Sequence, residues 1–133
     1  MRKQTGETLL VKKSGGKFYI PDEGHVIWTN FDPQAGHEQK GPRRAVVLSP
    51  MLSNKKTGLA IVCPITTKVK GYSFEVPIPK NLNLTTVGVI LADQIRSLDW
   101  QERGATYIEK VNQQILYEIN QRLNYLILPS LKQ

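Results

Sequence analysis

Cysteine, histidine and long apolar runs are what this 133-residue chain has least of: one Cys63, two histidines and 8% aromatics. A lone cysteine closes no intramolecular disulfide, so the fold rests on non-covalent packing. No CxxC, HExxH or paired-histidine spacing occurs. The ordinary structural zinc sites are therefore excluded, and neither a metal site nor a cofactor is expected. No stretch approaches the roughly 18 uninterrupted apolar residues of a membrane helix. The first twenty residues, MRKQTGETLLVKKSGGKFYI, lack the apolar core of about 7–15 residues of a secretory signal. The expectation is a cytoplasmic protein with no membrane partner. What is present is 40% apolar residues, enough for one core, too little for two ordinary domains, and contrary to wholesale disorder.

Charge is present and unevenly placed. The formal net charge is +7. Residues 1–20 hold +4, residues 21–35 hold −3, residues 36–80 hold +6, and the remainder is balanced. A block this basic inside a folded domain fits a polyanion or an acidic partner as well as it fits a solubilising surface.

Residues 1–18 read as a loosely held basic arm, with 9–11 (LLV) a weak edge strand, and residues 19–133 as the domain. Residues 25–31 (HVIWTNF) are rich in β-branched and aromatic side chains and predict a first strand. Residues 32–43 (DPQAGHEQKGPR) predict a loop about 12 residues long, a length at which ordered loops are commonly functional. Strands are predicted at 45–48, 59–65, 74–78 and 87–91, with a further one at 106–108, separated by turns and with no helix between them. Val111, Ile115, Leu116, Ile119, Leu123, Leu126 and Ile127 recur at helical spacing, and Pro129 ends the pattern. The fold class expected is mainly β: a small antiparallel barrel or sandwich closed by a C-terminal amphipathic helix.

The long loop gathers His37, Glu38, Arg43 and Arg44 within eight residues. A carboxylate or imidazole can take a proton from a nucleophile, while guanidinium donors hold charge developing on a phosphate. RNA carries its own nucleophile, the 2′-hydroxyl, so such a set can cut a strand without metal. The plainer reading is that Glu38 and Arg43 pair to hold the loop, a contact worth about 0–1 kcal/mol when exposed.

Several strings, in order, resemble the MazF/PemK toxin family. They are 21–33 (PDEGHVIWTNFDP), 36–39 (GHEQ), 41–43 (GPR), 45–50 (AVVLSP), 56–58 (KTG), 64–66 (PIT), 70–72 (KGY) and 74–76 (FEV). Further along, 88–89 (GV), 91–94 (LADQ), 96–100 (RSLDW) and 103–105 (RGA) continue the match. The resemblance implies an SH3-like barrel acting as a homodimer. It implies a toxin of a type II toxin–antitoxin system, a metal-independent endoribonuclease that cuts single-stranded mRNA. The products would be a 2′,3′-cyclic phosphate and a 5′-hydroxyl. The implied partner is a cognate antitoxin whose acidic C-terminal tail occupies the RNA groove.

Carried over by position, the resemblance makes Glu38 the base, Arg43 the proton donor and Thr66 the hydroxyl that holds the scissile phosphate. A guanidinium holds its proton too tightly to be a good literal acid, so Arg43 reads first as a stabiliser of transition-state charge. His37 stands where some relatives carry a histidine of the acid/base set; a solvated loop histidine is its other reading. Gln39, Asp93 and Gln94 match family positions beside the site and are RNA-contact candidates, though Asp93 reads rather more as an anchor for the turn after the fifth strand. Arg44 beside Arg43, and Lys68, Lys70 and Tyr72 beside Thr66, are RNA-contact candidates from their own chemistry, and the last three also read as ordinary solvated surface. Trp28 and Trp100 read as core or subunit-interface aromatics, and Cys63 as a buried small hydrophobe.

The chain departs from the family pattern at His25, where an acidic residue is expected, and at Arg44, where proline is usual. Two other readings stay open. One is a non-catalytic toxin of the CcdB kind, which poisons a topoisomerase by binding; the neutral end of the helix (126–129, LILP) argues against it. The other is a degenerate member that binds RNA and antitoxin without cutting, favoured only by His25.

Overall fold

The computed structural model describes residues 18–33 and 35–128. The suggested strand at 9–11 and the helix-ending Pro129 lie outside these residues. The elements are β1 (His25–Asn30), β2 (Pro42–Val47), α1 (Met51–Thr57), β3 (Leu59–Thr66), β4 (Glu75–Pro77), β5 (Val89–Leu91), β6 (Arg96–Asp99), β7 (Thr106–Lys110) and α2 (Gln113–Ile127). Short 3-10 turns at Lys80–Leu82 and Ala92–Gln94 flank β5.

All strand pairs are antiparallel. The strands run β4-β5-β3-β2-β1-β7, with β6 also on β3. This path does not close on itself; the structure supports the coarser part of the expectation, a mainly antiparallel sheet with a C-terminal helix. β3 is the hub. It pairs with β2 on one edge and, on the other, with β6 through Leu59–Val62 and with β5 through Ile65 and Thr66.

The central strands look continuously apolar because both sheet faces are buried. Side chains alternate across a strand. Val26, Val46 and Cys63 join Ile115, Leu116 and Ile119 of α2 in one cluster. Their neighbours Ile27, Ala45, Val47 and Val62 join Ile20, Phe31, Leu98 and Trp100 in the other. Each fully buried Val, Ile or Phe contributes about 1.5–3 kcal/mol. α2 starts where Asn112 accepts a hydrogen bond from the Ile115 amide at 2.9 Å, an ordinary N-cap. Its last turn departs from the expected apolar face: Leu126 and Ile127 stay exposed.

Two elements were not anticipated. α1 stands where only turn signals were expected, because its seven residues MLSNKKT carry no apolar period. Its main anchor is the fully buried Asn54, which donates to the carbonyls of Pro21 (2.9 Å) and Ser49 (3.0 Å) and accepts from the Ser49 hydroxyl (2.6 Å), while at the helix start the Met51 amide donates to Asp22 Oδ1 (2.8 Å). Trp100 Nε1 donates to the Asn54 carbonyl at 3.0 Å. Gly58 ends the helix in the left-handed region, φ 75°, which disfavours side chains. β6 is the other; four residues (RSLD) are too few for an alternation to register.

Candidate active site

The loop after β1 is closed at its neck. The Phe31 amide donates to the Gly41 carbonyl (2.9 Å) and the Gly41 amide to Asp32 Oδ1 (2.8 Å). Arg103, from the turn before β7, donates to the carbonyls of Asn30 and Asp32. Residues 32–41 thus form a loop with joined ends; Pro42 and Arg43, expected in the loop, already belong to β2. Within it, the Ala35 amide donates to Glu38 Oε1 and the Glu38 amide to the Ala35 carbonyl, both at 3.1 Å. The Gln39 amide donates to Gln94 Oε1 at 3.0 Å, tying the loop to the turn after β5.

Arg43 leaves β2 with Nε donating to the Lys40 carbonyl (3.1 Å) and Nη1 to the Ile65 carbonyl (3.5 Å). Among the described residues it is held by carbonyls, not by a carboxylate, so the Glu38–Arg43 pair is not what fixes the loop. Thr66 ends β3, its hydroxyl accepting from the Lys68 amide at 3.1 Å. The strand beside it requires Gly88: φ is +108°, and a Cβ there would lie 2.1 Å from the Thr66 carbonyl oxygen.

Lys68, Lys70 and Tyr72 sit on the turn between β3 and β4. Glu75, only 6% exposed, accepts from the amides of Lys70 (3.1 Å) and Gly71 (3.0 Å) and so shapes that turn. Tyr72 stacks on Phe74 with ring centroids 5.2 Å apart.

These segments surround one groove of about 890 Å³. Its lining includes all eleven residues singled out from sequence: His37, Glu38, Gln39, Arg43, Arg44, Thr66, Lys68, Lys70, Tyr72, Asp93 and Gln94. Sequence reasoning missed Lys40, Glu75, Thr85 and Val87. Glu75 lay within the quoted FEV string, but nothing in sequence marks it as a buried acceptor. Trp28 was assigned to the core or an interface. In the single chain it is 46% exposed and lines the groove, while Trp100 is buried. Five Lys or Arg side chains face three carboxylates across this lining, which suits a polyanion. Burial raises the Asp93 carboxyl above its usual value, and the nearby Glu75 charge adds to the effect.

His25 lies elsewhere. Its ring stacks on Tyr19 (5.7 Å) and meets Tyr107 edge-on (4.8 Å), and Nδ1 accepts from the Tyr19 hydroxyl at 2.7 Å. It is not part of the groove lining. Cys63 is fully buried; burial, with the Asp93 charge, pushes its thiol up to about 12, where it is unreactive. Among the described residues, no group of three His, Cys, Asp or Glu side chains is placed to hold a metal ion, and no helix is long and apolar enough to cross a membrane.

Fold and groove together define a small β domain with a C-terminal helix that presents a cationic, loop-lined cleft. Residues 22–127 match the model of the "PemK-like, MazF-like toxin of type II toxin-antitoxin system" family, and the chain belongs to that family. It is 47% identical over 109 residues to the endoribonuclease toxin MazF of Escherichia coli K12, covering 82% of this chain and 96% of that protein. A crystal structure of MazF from Deinococcus radiodurans superposes with a TM-score of 0.78 at 49% identity, over 82% of this chain and 97% of that one. A MazE–MazF crystal structure from the same organism gives 0.71 at 42% identity, over 82% and 96%.

Proposed function

We propose that the chain is an endoribonuclease toxin that cuts single-stranded mRNA and is neutralised by a cognate antitoxin. The observation that carries this is the gathering of all eleven candidate residues around one cationic groove. The Glu38 carboxylate takes the proton of a ribose 2′-hydroxyl. The 2′-oxygen forms its bond to the adjacent phosphorus, the bond from phosphorus to the 5′-oxygen breaks, and a 2′,3′-cyclic phosphate remains. The departing 5′-oxygen takes up a proton, for which His37 is the titratable donor on the same loop. Arg43, preset by its two carbonyl contacts, and the Thr66 hydroxyl carry the charge building on the phosphate oxygens. Gln39, Lys68, Lys70, Tyr72 and Asp93 line the path of the flanking nucleotides, where cations take phosphates and the aromatic ring takes a base.

The groove also suits the acidic tail of an antitoxin, whose occupancy would exclude RNA. In the same reading the toxin is a homodimer, the sheet is a partly open SH3-like barrel coiled about β3, and residues 1–18 are a basic arm outside the domain. The test is incubation of antitoxin-free protein with a long mixed-sequence RNA in EDTA, with fragment ends mapped. Discrete cuts leaving 5′-hydroxyl ends are expected. Intact RNA from folded protein would overturn the reading.

A further inference from the structure

The connection from β4 to β5 is long and has little secondary structure of its own, yet Thr85 and Val87 within it line the groove. What holds it lies on the other side of β1. Glu109, on β7, accepts from the amides of Thr85 (3.0 Å) and Thr86 (2.8 Å) and from both their hydroxyls. Arg44, on β2, donates through Nη1 to the Thr85 hydroxyl (3.1 Å) and the Thr86 hydroxyl (2.7 Å), and lies 3.8 Å from Glu109. Because a hydroxyl has one proton, donation from Arg44 forces each threonine to donate onward to Glu109. The network is therefore polarised in one direction, from Arg44 through the two hydroxyls to Glu109. Thr86 is 3% exposed. Burial alone would raise the Glu109 carboxyl, but the four bonds from Thr85 and Thr86 outweigh it and hold the group below its usual value. Glu109 and Thr86 are not in the groove lining, whereas Thr85, Val87 and Arg44 are.

We propose that Arg44, Glu109, Thr85 and Thr86 form a latch that sets the groove lining contributed by the β4–β5 connection. The latch governs which RNA sequences are held and how tightly, not the rate of bond cleavage. Arg44 is then a positioning residue, its charge already committed to Glu109, rather than a spare cation for phosphate. This rests on the endoribonuclease reading, and the experiment separates the two.

Wild type, Glu109→Gln and the isosteric Thr86→Val are compared at neutral pH by amide exchange and by cleavage of the mixed-sequence RNA. Exchange at Thr85 and Thr86 is expected to quicken about tenfold in Glu109→Gln, and less in Thr86→Val, with core amides unchanged. KM is expected to shift about fivefold and the set of cut sites to broaden, with kcat within about twofold. Unchanged exchange at those amides would overturn the latch. Altered exchange with unchanged KM and unchanged cut sites, or a fall in kcat alone, would overturn its role in selection. Wild type that leaves RNA whole would instead overturn the endoribonuclease reading. The latch is then judged by exchange and by the dissociation constant of a single-stranded RNA, and equal affinities in the three proteins would overturn its role.

Discussion

Two polar clusters in this molecule use the same kinds of group to opposite ends. Around Asn54, every donor and acceptor of the side chain is matched inside the protein, and the residue has no exposed surface. Around the groove, Arg43 spends two donors on carbonyls, while its Nη2 makes no hydrogen bond among the described residues. The first arrangement converts polar groups into a defined corner where α1, β3 and Trp100 meet. The second leaves cations and hydroxyls positioned but not consumed, as a site for a charged ligand requires. Loss of a groove side chain should therefore cost activity, and loss of the buried one should cost stability.

The largest expected effect sharpens that contrast. Arg43→Ala and Glu38→Ala should each lower kcat by about 10²–10³-fold with the melting temperature unchanged. A melting point that falls with activity would mean that these residues are structural after all. Gly88→Ala should break the contrast, because its Cβ would collide with the Thr66 carbonyl oxygen. A cost of about 3 kcal/mol is expected from clash and left-handed strain, with turnover falling as Thr66 moves; denaturant titration and cleavage rates read the two effects separately.

Asn54→Ala should cost about 2–3 kcal/mol, since it strands the Ser49 hydroxyl and two carbonyls. Its cleavage rate per folded molecule should match wild type. A smaller effect is expected of Gln94→Leu, which orphans the Gln39 amide. About 1 kcal/mol of local order in the loop should be lost, read as faster amide exchange at Gln39 and a reduced kcat, the loop that carries Glu38 being less well placed.

The last prediction concerns pH. Burial, partly opposed by Asp22 and aided by Lys110, lowers the His25 pKa from 6.5 to about 4. The unfolded chain then binds the proton that the folded chain refuses, so stability is complete above about 6.5 and declines as pH falls toward 4. His25→Phe should flatten that decline in a series of denaturation curves. An unchanged slope would assign the acid sensitivity to other groups.

Legibility followed the range of the interactions. The six strands expected from sequence all recur, because β-branched runs bounded by Gly and Pro carry a local signal. β6 and α1 escaped it: one is too short to show a period, and the other is held chiefly by the buried Asn54 and by Asp22 at its start rather than by an apolar period. The candidate residues were legible as chemistry, since a loop carrying Glu, His and Arg beside two glycines is unusual for a plain connection. Their partners were not. Glu75 beneath the Lys70 turn, Gln94 against Gln39, and Glu109 behind Thr85 and Thr86 are contacts between segments with no sequence mark. Arg44 illustrates the difference, reading as a second loop cation until its neighbours across β1 are seen.

By itself, then, the sequence determined the alternation that builds a sheet, the amphipathic stripe of α2, the basic centre of the chain and the grouping of His37, Glu38, Arg43 and Arg44 within one short stretch. All of these are periodic or local in character. Tertiary structure alone decided that both faces of the central strands are buried, that the sheet path stays open, and that three separate segments converge on one groove. It also decided which charges are spent within the protein and which face outward. Those outcomes depend on antiparallel register and on hydrogen bonds between distant segments, as from the Val111 amide to the Gly24 carbonyl, or from the Thr29 hydroxyl to the Arg103 carbonyl 74 positions away. Such bonds form only once the strands have found one another, and nothing in the neighbouring residues of either partner announces them.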